Sequence, residues 1–333
     1  MVNDKEKQPY NAGRRIRLLA AGIVVAIAAY TAGWYWLAGR VETETARFVA
    51  SEKDHGTAID CAGRDVRGYP FRLEVFCTAL DVARPGDGLA VRAGAFRSAA
   101  QVYDPRRVYA ELDSPLAVTG ARAGEMRLDW SLARATATIA QPLPERASVA
   151  MEDLAVALGS IEKAIVAAHA EAHMRLNGGN LDLAWRYDGL VLGENLTGRS
   201  GLPVLAGDAD ITIENGAALA AAGIRSLRGI SGEIHRLALR VTPDEGLLVS
   251  GPFSVGADGL VDAKLDVYLV DPAGFAKAFR PAFPEQAAKI DMVAGLPTQA
   301  GPDGTPEIRL PVTITGGNAV VGFIPLGRLP ALR

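Results

Sequence analysis

The stretch Val261-Asp262-Ala263-Lys264-Leu265-Asp266-Val267-Tyr268-Leu269 puts an apolar side chain at every second position, with polar ones at most of those between. Successive side chains on a β-strand point to opposite faces, so this pattern predicts a strand with one apolar and one wet face. The same period recurs on either side of it. N-terminally it runs through Leu237, Leu239 and Val241 against Arg236 and Arg240, and through Ala209, Ile211 and Ile213 against Asp208, Asp210 and Thr212. It is also found in Leu181, Leu183, Trp185 and Tyr187, in Leu128, Trp130 and Leu132, and in Arg72-Leu73-Glu74-Val75-Phe76-Cys77. C-terminally it returns in Ile308, Leu310, Val312 and Ile314. Strands with one wet face imply largely antiparallel sheet, because parallel sheet is covered on both faces. The runs recur every ~20–30 residues without long helices between them, which predicts a meander rather than a doubly wound fold. The expected fold class is mainly β with a few helices (α+β), built as a long, largely antiparallel curved sheet.

Turn residues punctuate the runs at Pro85-Gly86-Asp87-Gly88, Asn177-Gly178-Gly179-Asn180, Glu214-Asn215-Gly216 and Gly316-Gly317-Asn318, where hairpins are expected to reverse. Asp271 as N-cap, Pro272 at N1 and Phe275, Ala278 and Phe279 on one side predict a helix ending at Pro281, followed by a weaker one over residues 284–290. Residues 149–172 are rich in alanine and could be helical on propensity, but alternation favours strand in their second half. Pro142 and Pro144 mark a possible subdomain boundary near residues 141–145 within a β-rich domain of residues 57–333.

Ahead of all this stands residues 18–38, a run of 21 without a charged side chain. That length crosses a hydrocarbon core as a helix, and within lipid the backbone must be helical to satisfy its own hydrogen bonds. Lys5, Lys7, Arg14, Arg15 and Arg17 precede the run, and Arg40, Glu42 and Glu44 follow it. Positive charge stays inside, so residues 1–17 form a cytoplasmic tail and the bulk of the chain lies across the inner (cytoplasmic) membrane, in the periplasm. Trp34, Tyr35 and Trp36 sit at the exit end, where amphipathic rings favour the membrane interface. A cleaved signal peptide is the competing interpretation, but its apolar region spans about 7–15 residues and ends in small residues rather than aromatic ones. Residues 39–56 are expected to form a separate juxtamembrane helix, with Val41, Thr45, Phe48 and Val49 on one face and Gly56 as its stop.

Residues 41–333 carry 29 basic and 36 acidic side chains, a net charge of about −7, the wrong sign for binding nucleic acid. The two cysteines, Cys61 and Cys77, fall on the exported side, where a disulfide closing that short loop is expected. His169, Glu171 and His173 would share one strand face; neutral imidazoles and a carboxylate can bind zinc, but no third histidine is nearby and the spacing is not His-Glu-x-x-His. The nucleophile elbow, the phosphate-binding loop and the dinucleotide fingerprint are all missing from the sequence. Gly251-Pro252-Phe253-Ser254-Val255-Gly256 is glycine-rich, but its spacing reads as a turn between strands. No catalytic residue and no cofactor are therefore expected. Within Gly68-Tyr69-Pro70-Phe71, the residues Tyr69, Pro70 and Phe71 form either a hydrophobic plug at a strand entry or a contact site close to the membrane.

These features together resemble the domain of unknown function 2125 family of alphaproteobacterial envelope proteins. The resemblance rests on the anchor, on Cys61 and Cys77 flanking Gly68-Tyr69-Pro70-Phe71-Arg72, on Tyr103-Asp104-Pro105, and on Gly322-Phe323-Ile324-Pro325-Leu326-Gly327. The plan is also similar to that of AsmA-like envelope proteins, in which an inner-membrane anchor precedes a long sheet with an apolar groove. That likeness implies lipid handling or envelope maintenance. The expected function is a non-enzymatic, membrane-anchored lipid-binding or envelope-maintenance module with an apolar groove, its expected partners phospholipid or envelope proteins. The alternatives are a scaffold for envelope protein partners and a metal-dependent periplasmic hydrolase using His169, Glu171 and His173.

Overall fold

The computed structural model describes residues 12–120, 124–223, 226–301, 304–322 and 324–332. Lys5 and Lys7 of the tail and Phe323 of the closing motif lie outside them. A long helix, α1 (Ala12–Asp54), opens the chain. Ten strands follow: β1 (Ala58–Ala62), β2 (Asp65–Arg67), β3 (Arg72–Cys77), β4 (Ala79–Arg84), β5 (Leu89–Ala93), β6 (Phe96–Gln101), β7 (Asp104–Leu112), β8 (Leu116–Gly120), β9 (Gly124–Asp129) and β10 (Leu132–Thr138). The strands then lengthen into β11 (Arg146–Leu158), β12 (Ile161–Asn177) and β13 (Asn180–Leu192). After α2 (Glu194–Thr197) come β14 (Leu205–Ile213), α3 (Gly216–Ala221), β15 (Ser231–Thr242), β16 (Glu245–Val255) and β17 (Val261–Val270). The chain finishes with α4 (Pro272–Phe279), α5 (Ala287–Ala294), β18 (Gln299–Ala300), β19 (Pro306–Thr315), β20 (Asn318–Val321) and β21 (Ile324–Arg328).

All described pairings are antiparallel and join into one open sheet, as the half-apolar strands required. From β11 to β17 each strand pairs with the next, and β19, β20 and β21 extend the order. On its other side β11 carries two different neighbours. Arg146 to Glu152 pair with β10, while Ala155 to Leu158 pair with β9. The sheet forks between these two segments, at Asp153, whose φ of 52° bends the strand there. One arm continues β10-β7-β6-β3-β2 and the other β9-β8-β5-β4-β1.

Trp130 sits in the crotch of the fork, 7% exposed, with its indole N–H donating to the Leu112 carbonyl at 2.9 Å. The alternation through Leu128, Trp130 and Leu132 suggests one strand. The chain instead breaks at Trp130, because β9 and β10 pair with successive segments of β11 and must part there. At their far ends the arms are tied together by a Cys61–Cys77 disulfide between β1 and β3.

Four other expectations are corrected. The juxtamembrane helix over residues 39–56 is not separate: α1 runs unbroken to Asp54, since no proline interrupts it and Gly39 alone only weakens a helix. Glu214-Asn215-Gly216 does not close a simple hairpin; Asn215, with φ of 53°, opens α3 on an alanine-rich run. Residues 251–255 lie within β16 rather than in a turn. Gly251 adopts φ of 133° there, and a Cβ would collide with the Lys264 carbonyl. The second late helix, α5, begins only after a 3-10 turn at Pro284–Gln286. Residues 149–172 are strand on both sides of the β11–β12 turn, and residues 141–145 lie in the β10–β11 connection. Asp271 caps α4 as expected, accepting from the Gly274 amide at 3.1 Å.

Candidate functional site: the apolar face and the helix seam

Directly opposed residues in an antiparallel sheet share a face, so the register traces what the meander presents. One row passes through Ala135, Val149, Ala172, Trp185, Ala209, Leu237, Val249, Val267 and Leu310. A second passes through Met151, Ala170, Tyr187, Gly207, Leu239, Leu247, Leu269 and Ile308. Neither row contains a charged residue. Nine strands at about 4.8 Å spacing make the first row roughly 40 Å long.

This face is only partly covered. Val149 is 40% exposed, and Trp185, Leu237, Val249, Val267 and Leu310 are half-buried. Among the described residues no large side chain is fully buried. The second row lies deeper at one end, where Leu269 and Ile308 are buried and α4 contacts β16 and β19. Tyr187 packs so closely over Gly207 that a Cβ there would lie 2.5 Å from its hydroxyl, and burial pushes that hydroxyl's pKa up. A depression of about 510 Å3 opens at the edge of the face, over Phe253, Ala263 and Ile314.

The opposite face is laced with ion pairs. Asp208 accepts from Arg236 at 2.6 Å and pairs with Arg240. Burial raises its carboxyl, but the two guanidinium hydrogen bonds outweigh burial and hold it below the ordinary carboxylate range. Asp182 is held low chiefly by Arg175, and Arg309 bonds Asp266 at 2.8 Å.

The predicted histidine cluster lies on this wet face. His169 Nδ1 is 3.0 Å from Glu152, and Nε2 of both His169 and His173 is 3.5 Å from Glu171. His173 Nδ1 also meets the Ser148 hydroxyl at 2.8 Å. The Glu152 hydrogen bond raises the His169 pKa. The structure thus brings His169, Glu171 and His173 together as a hydrogen-bonded strip between β11 and β12. Among the described residues no group of three or more His, Cys, Asp and Glu side chains is arranged to hold a metal ion.

The aromatic residues of the anchor and of the Gly68–Phe71 segment meet one another. Trp34 is 5% exposed and forms a cluster with Ala38 and Leu73, its indole N–H donating to the Arg72 carbonyl at 2.9 Å. Tyr69 packs edge-on to Trp34 at 5.5 Å and stacks on Tyr35 at 6.1 Å. Its hydroxyl lies 2.7 Å from that of Thr31, and the Tyr30 hydroxyl donates to the Pro70 carbonyl at 2.6 Å. Tyr35, Trp36 and Phe71 remain largely exposed. The roles of Tyr30 and Thr31 were hidden in the sequence, because a single tyrosine in an apolar run is ordinary.

A family profile described as uncharacterized protein conserved in bacteria (DUF2125) matches residues 34–330. The chain belongs to the DUF2125 family. The match starts at Trp34, the residue that seats the helix on the sheet, so it covers both fork arms and the meander. No curated protein and no solved structure matches the chain. One described helix is long and apolar enough to cross a membrane, compatible with a single-pass anchor on this DUF2125 protein.

Proposed function

We propose that this protein is held in the inner membrane by residues 18–38, with residues 41–333 in the periplasm, and that its apolar sheet face receives phospholipid acyl chains. It would act as a non-enzymatic lipid-binding module of envelope maintenance. The carrying observation is the uncharged row from Ala135 to Leu310, continuous across nine strands and, apart from the buried Ala209, still partly exposed. Contiguous exposed apolar surface marks interaction with apolar partners. Orientation is supported by exposed Arg14, Arg15 and Arg17 before the apolar run and by the disulfide, which belongs to an oxidising compartment.

The test is native mass spectrometry of the full chain released from detergent, with lipid extraction of the same sample. Phospholipid retained at near one per chain, and lost when Val249 is replaced by Asp, supports the proposal. A lipid-free protein refutes it and turns attention to crosslinking of protein partners. Labelling of an introduced Asp87→Cys thiol by a membrane-impermeant reagent in intact spheroplasts tests the orientation.

A further inference from the structure

The anchor and the sheet overlap along the helix axis. Leu18 follows Arg17, the last charge before the apolar run, and Arg40 is the first charge after it. At 1.5 Å per residue, a core about 30 Å thick consumes about 20 residues, from Leu18 to about Leu37. Yet the sheet grips the helix from Tyr30 onward, through the Pro70 carbonyl, the Tyr69 hydroxyl and the Arg72 carbonyl. Between Arg17 and Tyr30 the helix offers only about 18 Å, too little to span. The segment that carries Tyr69 therefore reaches roughly 10 Å below the outer hydrocarbon boundary, and a wholly aqueous domain is incompatible with a spanning helix.

The part of the sheet at that depth is suited to lipid. The β2–β3 loop is joined there by the β6–β7 turn, whose Val102 amide donates to the Phe71 carbonyl at 3.1 Å. Val102 itself packs on the Trp34 cluster. Three outward side chains of this tip are aromatic, Tyr69 46%, Phe71 66% and Tyr103 77% exposed, and the exposed Arg72 beside Phe71 has a side chain long enough to extend toward the interface. Arg106 and Arg107, both exposed, follow about 10–13 Å along β7, and Arg107 pairs with Asp104 at 3.8 Å. Arginines one such step beyond the tip stand near the outer hydrocarbon boundary, within reach of lipid phosphates, while the rings lie among the acyl chains of the outer leaflet.

Resting on the single-pass anchor of the preceding section, we infer that the β2–β3 loop and the β6–β7 turn form an aromatic tip. This tip inserts into the outer leaflet beside the helix, with Phe71 and Tyr103 in contact with phospholipid. The protein is then a two-point membrane attachment, a helix plus a wedge, rather than a domain on a tether.

Because both native cysteines are in the disulfide, a single introduced cysteine is the unique free thiol. The full chain is reconstituted in nanodiscs of phosphatidylethanolamine and phosphatidylglycerol and spin-labelled at Tyr103→Cys or Phe71→Cys. Val24→Cys serves as the core reference and Asp87→Cys as the aqueous one. Asp87 lies beside the far end of α1, where Arg84 donates to Thr57. Labels at 71 and 103 should be several-fold less accessible to a nickel chelate than at 87, and more accessible to oxygen. If either behaves like 87 while 24 reads as hydrocarbon, the inserted tip is refuted and the anchor stands. If 24 also reads as aqueous, the anchor fails and the tip with it.

Discussion

Removal of the Cys61–Cys77 disulfide by a double substitution to alanine should destabilise the protein by a definable amount at a definable place. The cysteines are 16 positions apart, and the chain-entropy relation gives about 3 kcal/mol at 25 °C for closing such a loop. Cys77 is 2% exposed, so the substitution also leaves a small void and the loss should not fall below that figure. For domains of 150–250 residues, 1 kcal/mol shifts the midpoint by about 2–4 °C, and the larger size here favours the low end, about 6 °C in all. The loss should be local. The bond joins the outer ends of the two arms, so hydrogen exchange should rise in β1–β4 while β12–β17 keep their protection. The assay is thermal unfolding plus hydrogen–deuterium exchange on oxidised protein, dithiothreitol-treated protein and the Cys61→Ala/Cys77→Ala variant. Identical midpoints for the three, or uniform loss of protection across the meander, would refute the reasoning that this bond closes the fork.

Trp34→Ala should cost about 3–5 kcal/mol and expose residues 68–73 to exchange, whereas Trp34→Phe, which keeps a ring but loses the bond to the Arg72 carbonyl and part of the packing on Tyr69, should cost less, about 1–3 kcal/mol. Gly251→Ala should lower stability by at least about 1–3 kcal/mol, from its φ of 133° alone, and fold poorly because the new methyl group meets the Lys264 carbonyl; a midpoint within 1 °C of the parent, on the order of 0.5 kcal/mol or less, would contradict the geometry. His169 has a raised pKa in the folded protein, so its interaction with Glu152 adds stability that is fully present below about pH 6.5 and is lost as pH rises through the folded value. A His169→Gln variant should accordingly be weaker than the parent at pH 6 and nearly equal to it at pH 8.5, as read by urea titration. Asp182 works in the opposite sense: its carboxyl is held low, so the stability it adds is present above about pH 4 and vanishes as pH falls, and Asp182→Asn should narrow the difference between parent and variant in acid.

The period of two was enough to read the sheet, because a strand with one apolar face writes its own alternation, and the rows through Trp185 and Val249 follow from it. The fork was not legible. Its signal is a single residue, Asp153, with φ of 52°, and the partner change along β11 depends on contacts between residues far apart in the chain. The extension of α1 through Asp54 is not legible because amphipathicity begins where the apolar run stops, so a change of surroundings looks like a change of element. The aromatic seam was half legible: Tyr69, Pro70 and Phe71 stood out beside Trp34, Tyr35 and Trp36, but nothing in either segment named the other as its partner. His169, Glu171 and His173 were placed together by strand parity, while Glu152 and Ser148, which hold the two imidazoles, lie on a neighbouring strand that only register could identify.

An open sheet has margins, and a margin is a template for another copy of the same chain. At one margin, β1 and β2 are backed by α1, which contacts both. At the other, β21 pairs only with β20 among the described residues, and all five of its residues are exposed. That strand is short, its Pro325 has no amide hydrogen to offer, Gly327 turns away with φ of 127°, and the ladder slips one place between Ala319 and Val320. An incoming strand therefore finds an interrupted, irregular rim. This gives the molecule a sheet broad enough to work as a surface without the polymerisation that an even, unbroken border would invite.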